Sequence, residues 1–242
     1  MFLLEGLPAV ALGVVVLATL PERPDDATWL TAEERQTLVV CLRHDMEQRA
    51  AMGDASRGPF RNGRIWRLAI VYFTIPVALY AIGFWLPQIV KSATSAGNFM
   101  VGVLSAVPYV VAAVGMVIVG RHSDRTGERR WHIAVSALVG GAAFAASAFV
   151  HGLGSALVVL SIAMLGLASM FGPFWTLVTT VTNRSGAAVG IALINSVGNI
   201  GGFVGPYLFG AIREATESFS AGLTLIGVVL LVGGAVALTV RE

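Results

Sequence analysis

The apolar residues of this 242-residue chain fall into long blocks, and that arrangement leaves few folds open. A helix needs roughly 20 apolar residues to cross ~30 Å of hydrocarbon. Lipid offers backbone N–H and C=O groups no partner, so each segment must satisfy its own. Seven stretches meet that requirement: 2–20, 68–90, 98–119, 133–150, 155–181, 187–212 and 219–240. The expected fold class is therefore an all-α membrane protein with seven transmembrane helices. Composition agrees, since 56% of residues are hydrophobic and 12% charged, against ~25% charged in soluble domains. A single cysteine, Cys41, leaves no intrachain disulfide and no multi-cysteine metal site. Nothing in the pattern calls for a cofactor or a metal.

The first stretch lacks the basic n-region of a signal peptide and carries Glu5 where positive charge belongs. It is expected to be a true span. Orientation follows from the basic residues. With the C-terminus cytoplasmic, the inside segments hold Arg23, Arg35, Arg43, Arg49, Arg57, Arg61, Arg64, Arg67, Arg121, Arg125, Arg129, Arg130, Arg184 and Arg241, and the outside keeps Lys91 and Arg213. That bias predicts a multi-pass protein of the cell (inner) membrane, with the N-terminus of this chain outside. The basic residues lie between apolar blocks and net charge is only +2, a topology signal rather than a nucleic-acid footprint.

Residues 21–65 form the one sizeable polar segment, expected as a cytoplasmic loop. Thr31 and Glu34 have the capping-box spacing, which predicts a helix start. Leu38, Leu42 and Met46 recur every four residues and give that helix one apolar stripe. Gly53, Gly58, Pro59 and Gly63 read as linker.

An ionisable residue inside a bilayer marks function by default. The cores of the last six stretches contain none, and Lys91, His132, His151, Arg213, Glu214 and Glu217 sit at predicted ends. A retinal protein needs a mid-membrane lysine, and the only lysine is Lys91. Proton coupling would need groups supplied by another segment or chain. Arg121-His-Ser-Asp124 holds hydrolase residue types, but adjacent positions do not converge on one reacting group. No enzymatic role is expected.

The polar candidates lie on three stretches. In 187–212, Gly198/Gly202 and Gly201/Gly205 form overlapping GxxxG pairs that admit a close neighbouring helix. With no preceding strand they are not a dinucleotide loop. Pro206 is expected to kink this helix. Asn195 and Asn199 share a face and either hydrogen-bond to another helix or line a polar cavity. In 155–181, Gly172-Pro173 is expected to break the helix, leaving Trp175 either to pack or to face a cavity. In 68–90, Tyr80 lies mid-span, while Trp85 and Gln88 suit an interfacial belt.

Gly120-Arg-His-Ser-Asp124-Arg125-Thr-Gly127-Glu-Arg129-Arg130 links the third and fourth stretches. This run resembles the interhelical signature of the major facilitator superfamily. Further blocks narrow the likeness: Phe2-Leu-Leu-Glu-Gly-Leu-Pro-Ala, Leu20-Pro-Glu-Arg-Pro, Trp29-Leu-Thr, Phe84-Trp-Leu-Pro-Gln-Ile-Val, Phe171-Gly-Pro-Phe-Trp and Gly190 to Tyr207. Together they resemble the C-terminal part of an anion:cation symporter, the group of tartrate, phthalate and galactonate permeases. The resemblance implies helices 6–12 of a twelve-helix fold. Residues 1–20 match helix 6, 21–65 the central cytoplasmic loop with one amphipathic helix, and 66–242 the six-helix C-terminal half.

The same likeness implies that Trp175 and Asn195 contact the substrate's polar groups, with Tyr80 in a cavity-facing region; Asn199 joins them only by sharing the face of Asn195. It implies that Gly120, Asp124, Arg125, Gly127, Arg129 and Arg130 hold a conformational state across the interface between halves. The substrate-carboxylate arginine and the proton-carrying acids of relatives lie in helices 1–5. One departure is that Val178 stands where relatives often have a proline three residues after the tryptophan. The implied function is secondary transport of a small organic anion, with a proton as coupling ion and an N-terminal half or a second copy as partner. A truncated or split product inactive alone, and a seven-helix sensor, are the alternatives.

Overall fold

The computed structural model describes residues 2–21, 26–27, 29–51, 58–182 and 187–240. Arg23, Arg57, Arg184 and Arg241 of the charge bias, and Gly53 of the expected linker, lie outside the described residues. The chain divides into two compact units, Met1–Asp54 and Ala55–Glu242.

The first unit holds α1 (Phe2–Thr19) and α2 (Ala32–Ala51). Every described side chain of α1 from Gly6 to Thr19 is exposed, as lipid-facing residues are. The capping box forms at the start of α2. Thr31 N–H and Oγ1–H both donate to Glu34 Oε2, at 3.0 and 2.8 Å, and Glu34 N–H returns a bond to Thr31 Oγ1 at 3.3 Å. The Thr31 N–H, then its hydroxyl, hold the Glu34 carboxyl below its ordinary value. The expected single apolar stripe is not what α2 shows. Leu38 and Leu42 are exposed, and Val40, at 60% exposure, lies on the opposite side of the helix.

The second unit begins with one helical turn, α3 (Gly58–Arg61), where a linker was expected. Asn62 then caps α4 (Gly63–Ser92), its Oδ1 accepting the Arg64 N–H at 2.9 Å. There follow α5 (Asn98–Thr126), α6 (Arg130–Ala146) extended by a 3-10 turn (Ser147–Phe149), α7 (Leu153–Ser169), α8 (Phe171–Val181), α9 (Ala187–Thr216) and α10 (Phe219–Leu238). Among the described residues six helices are long and apolar enough to cross a membrane, α7 and α8 counting as one broken span. Added to them is the shorter apolar stretch Gly6–Thr19 of α1, so of the expected seven spans six meet the length and hydropathy needed.

Two prolines act differently. Pro173 has no N–H for the Ser169 carbonyl, and its ring crowds that oxygen. The span breaks one turn earlier, at Met170, whose N–H turns to Leu167 O at 3.3 Å before Phe174 N–H resumes on Met170 O at 3.0 Å. Pro206 leaves α9 unbroken from Ala187 to Thr216. The Pro206 carbonyl accepts the Trp85 Nε1–H at 3.4 Å.

Burial of apolar surface drives little helix association in lipid, so close van der Waals contact must hold the bundle. Helix α4 is its centre, packed on α9 and α10, while α6 packs on α7 and α10, and α5 on α7. Across the spanning stretch 61% of α4 residues are buried, against 28% in α5 and in α9. The expected glycine face of α9 is the face that meets α4. A Cβ at Gly201 would lie 2.5 Å from the Phe73 carbonyl oxygen, and one at Gly205 would collide with the Val77 carbonyl. Gly198 lies on the Tyr72 ring and Gly202 on the Tyr80 ring. Unforeseen from sequence, Gly141 meets the Gly227 carbonyl between α6 and α10, and Gly140 meets Gly166 between α6 and α7.

Substituting Gly205 by Val forces α9 away from the Val77 carbonyl. The expected loss is about 1–3 kcal/mol, typical of overpacking, read as a lower unfolding temperature in detergent. Gly120→Ala, whose Cβ meets nothing within 4 Å, does not lower it. An unchanged unfolding temperature for Gly205→Val removes this contact from the account.

Candidate functional site

The four residues singled out as substrate-facing occupy two levels of the bundle. Trp175 on α8 is half-buried. Its indole meets the Tyr72 ring edge-on at 4.9 Å between centroids and the Phe174 ring at 5.4 Å. Tyr72, on α4, is stacked on Phe174 at 5.2 Å and lies under Gly198 of α9. Tyr72 therefore joins the tryptophan helix to the asparagine helix, a role the sequence reading missed.

Asn195 and Asn199 are both exposed, together with Ser196. Each stands three residues before a glycine of the packed face, Asn195 before Gly198 and Asn199 before Gly202, so they flank the contact with α4. Among the described residues the asparagines make no hydrogen bond to another helix. An amide left in hydrocarbon without a partner is costly, so this stripe calls for water, ligand or another protein surface. Thr179 and Thr180 on α8 are exposed as well, but each hydroxyl bonds back to the Thr176 carbonyl, at 2.8 and 2.9 Å.

Tyr80 lies two turns beyond Tyr72 along α4, 53% exposed. It lines a cavity of about 730 Å³ with Phe84, Tyr109, Phe203 and Tyr207, floored by Gly202 and Pro206. Trp175, Asn195 and Asn199 are not among its lining residues. The Tyr109 hydroxyl lies against Gly83, 3.5 Å from where a Cβ would stand. Phe203 and Tyr207 stack at 5.9 Å. The chain has four tyrosines. Three line this cavity and the fourth is Tyr72. That scarcity is a signal the sequence offered. Among the described residues no tyrosine hydroxyl has a hydrogen-bond partner, and no charged side chain lines the cavity. The wall is aromatic, with hydroxyl groups to offer and no counter-charge.

Trp85, expected in an interfacial belt, is instead half-buried in an aromatic cluster. It stacks on Phe209 at 5.4 Å and meets Phe219 at 6.2 Å, with the Arg213 guanidinium 5.2 Å from its ring. Helices α9 and α10 supply these partners, so periodicity along α4 did not reveal them.

The signature run is mostly helix rather than loop. Helix α5 continues to Thr126, so Gly120 is a helical residue and not a turn. The turn comes at Gly127, left-handed with φ 71°, a conformation that favours glycine. Ser123 is fully buried here. Its hydroxyl donates to the Glu128 carbonyl at 2.8 Å and accepts from Arg129 Nη1 at 2.9 Å. The same Nη1 reaches Asp124 Oδ1 at 2.7 Å. Asp124 thus pairs within its own turn, and Arg125 is exposed.

Arg130 Nη1 donates to Val240 O at 3.1 Å and Arg67 Nη1 to Thr239 O at 2.8 Å. Two helices thereby hold the last carbonyls of α10, where cations also suit the dipole. Glu128 opens α6 by accepting the Trp131 N–H at 2.9 Å, and it bonds His132 Nδ1 at 3.2 Å. His132 Nε2 lies 2.7 Å from His122 Nδ1, which makes a short chain Glu128–His132–His122.

Burial pushes the Glu128 carboxyl up, but bonds from the Trp131 N–H and from His132 outweigh it, and its value ends below the ordinary 4.5. A depressed carboxyl contributes stability above its unfolded value and loses it as pH falls through the folded one. The α5–α6 turn is therefore expected to loosen below pH 4.5. Thermal unfolding of the chain in detergent should be more acid-sensitive than that of Glu128→Gln. Parallel pH curves contradict the assignment.

Residues 1–206 match the family model described as Major Facilitator Superfamily. The chain is 40% identical, over 98% of its length, to a protein of Agrobacterium vitis named "Putative tartrate transporter", of which it covers 53%. It is 34% identical over its whole length to the inner membrane transport protein RhmT of Escherichia coli K12, covering 56% of that protein. It is 32% identical over 96% of its length to the quinolone resistance transporter of Acinetobacter baumannii, covering 54%. The chain thus spans about half the length of the curated relatives it matches. With six membrane-capable helices and a family match over most of its length, this multi-pass membrane chain belongs to the Major Facilitator Superfamily.

Proposed function

We propose that the chain is the C-terminal part of a secondary transporter for a small organic anion: a sugar acid, a dicarboxylate or an aromatic acid. The observation that carries this reading is the polar stripe Asn195–Ser196–Asn199, exposed on a membrane helix with no hydrogen bond to another helix among the described residues. Such amides belong against water or substrate, not lipid. In alternating-access carriers two halves rock about a midplane site between them. This chain supplies one wall, with Trp175 and Asn195 binding polar groups of the substrate and Tyr80 and Asn199 bordering it. The names of the Agrobacterium vitis and Escherichia coli relatives support the class and an inner-membrane location.

In this reading α1 is a seventh span, matching helix 6 of twelve. Residues 1–20 then close the N-terminal half, 21–65 form the central loop, and 66–242 form the C-terminal half, with the N-terminus of this chain outside. The wall described here carries no cation for a carboxylate. An N-terminal half, or a second copy, supplies that cation and the acidic groups for a coupled proton. Asp124 and Arg125 engage the facing half, with Gly120, Gly127, Arg129 and Arg130 shaping the turn that presents them. The second reading, a split or truncated product inactive alone, rests on the same uncharged wall.

Uptake of labelled tartrate or aromatic acids by cells expressing only this chain should stay at background. With an N-terminal half supplied, uptake appears. Asn195→Ala then lowers apparent affinity about tenfold, the scale of one lost polar hydrogen bond, with membrane abundance unchanged. Proton-driven uptake by the chain alone refutes the incomplete wall, and full uptake by Asn195→Ala takes that residue out of the site.

A further inference from the structure

A second cavity lies at the opposite end of α4 from the tyrosines, and its lining is cationic. Arg64 and Arg67 on the first turns of α4, Arg130 at the start of α6, and Leu238 and Thr239 at the end of α10 enclose about 660 Å³. Among the described residues no acidic side chain lines it. Arg67 and Arg130 each spend an Nη1 donor on an α10 carbonyl. A guanidinium has five N–H donors, so most of their capacity is left over. The Arg64 side chain is exposed and makes no hydrogen bond among the described residues. The end of α10 contributes roughly half a negative charge, far short of three cations. Among the described residues the lining is therefore cationic without a matching negative charge.

Its depth in the membrane indicates which anion. Trp66 and Trp131 neighbour Arg67 and Arg130 in sequence and are 42% and 57% exposed. The Trp66 indole N–H is satisfied by the Phe60 carbonyl at 2.9 Å, and Phe60 is itself exposed. Exposed tryptophans on spanning helices sit at the headgroup level. The cavity thus opens where lipid phosphates lie, at the end that the charge bias places in the anionic cytoplasmic leaflet. Guanidinium groups match phosphate oxygens two at a time.

We propose that Arg64, Arg67 and Arg130 form a site for the phosphate of an anionic phospholipid headgroup, seated between α4, α6 and α10. The bound phosphate ties the end of α10 to the two helices that already hold its carbonyls. Lipid therefore stabilises the bundle.

The test uses the full chain in neutral detergent, with native mass spectrometry for binding and thermal unfolding for stability. Phosphatidylglycerol should bind and raise the unfolding temperature, and phosphatidylcholine should do neither. Arg64→Gln, which breaks no internal bond, should weaken phosphatidylglycerol binding about fivefold, as expected for ~1 kcal/mol per arginine at an anionic surface. Arg64→Lys should keep most of it. Arg121→Gln, at the same end but outside the cavity, should leave it unchanged. Equal binding of the two lipids overturns the proposal. So does an equal loss in Arg121→Gln, which reduces the effect to net charge. Inorganic phosphate protecting as well as phosphatidylglycerol makes it a free-phosphate site and rejects the lipid.

Discussion

Helix α9 lies backbone to backbone on α4, and the position of each candidate wall residue depends on that contact. Without Cβ atoms at Gly201 and Gly205, the Phe73 and Val77 carbonyls come within van der Waals reach of the α9 main chain. In lipid this is the kind of interaction that holds helices, since the surrounding chains are as apolar as the side chains. The contact also fixes rotation about the α9 axis. With the glycines on α4, Asn195 and Asn199 stand at the flank of the contact with their side chains exposed. The same approach seats Gly198 on Tyr72 and Gly202 on Tyr80, so the aromatic side chains of α4 are aimed by their glycine neighbours. A side chain on the glycine face would swing the asparagines and separate the tyrosines together.

The two ends of the bundle follow different physics. Away from the basic end, α4, α5 and α9 part enough to leave an uncharged, tyrosine-lined cavity. At the basic end, polar groups are closely satisfied. Arg67 and Arg130 hold the last α10 carbonyls, Glu128 caps α6, and Ser123 and Arg129 knit the α5–α6 turn. The arginines that enforce topology thus also close helix ends whose carbonyls have no intrahelical partner. Three arginines of this end line the cavity proposed for a phosphate.

An uncharged wall constrains mechanism. In the proposed function, tyrosine hydroxyls, an indole N–H and asparagine amides recognise the polar atoms of a small acid without compensating its charge in a low dielectric. On that proposal a cation outside this wall meets the charge. Divided in that way, a carrier keeps specificity contacts in one half and charge and proton handling in the other, and it completes the site only when the halves face each other. That the chain spans about half of its relatives fits this division.

Much of this was legible in the residues. Apolar blocks located the spans, the Thr31–Glu34 spacing located α2, Gly172-Pro173 located the broken span to within a turn, and the GxxxG pairs identified the packed face of α9. Each of these is a local property, set by hydropathy, backbone chemistry or spacing within one helix. What stayed hidden involved two helices at once. Tyr72 beneath Trp175, Trp85 among Phe209 and Phe219, the Gly141–Gly227 approach, and the arginines on α10 are all pairings between distant stretches. The asparagines show the boundary well. Spacing put them on one face of α9, but only the seating of the glycines on α4 decided that this face is open. A helix determines which of its residues share a side, whereas the direction of that side is set by the neighbour that packs closest, and in this protein that neighbour is the α4 backbone.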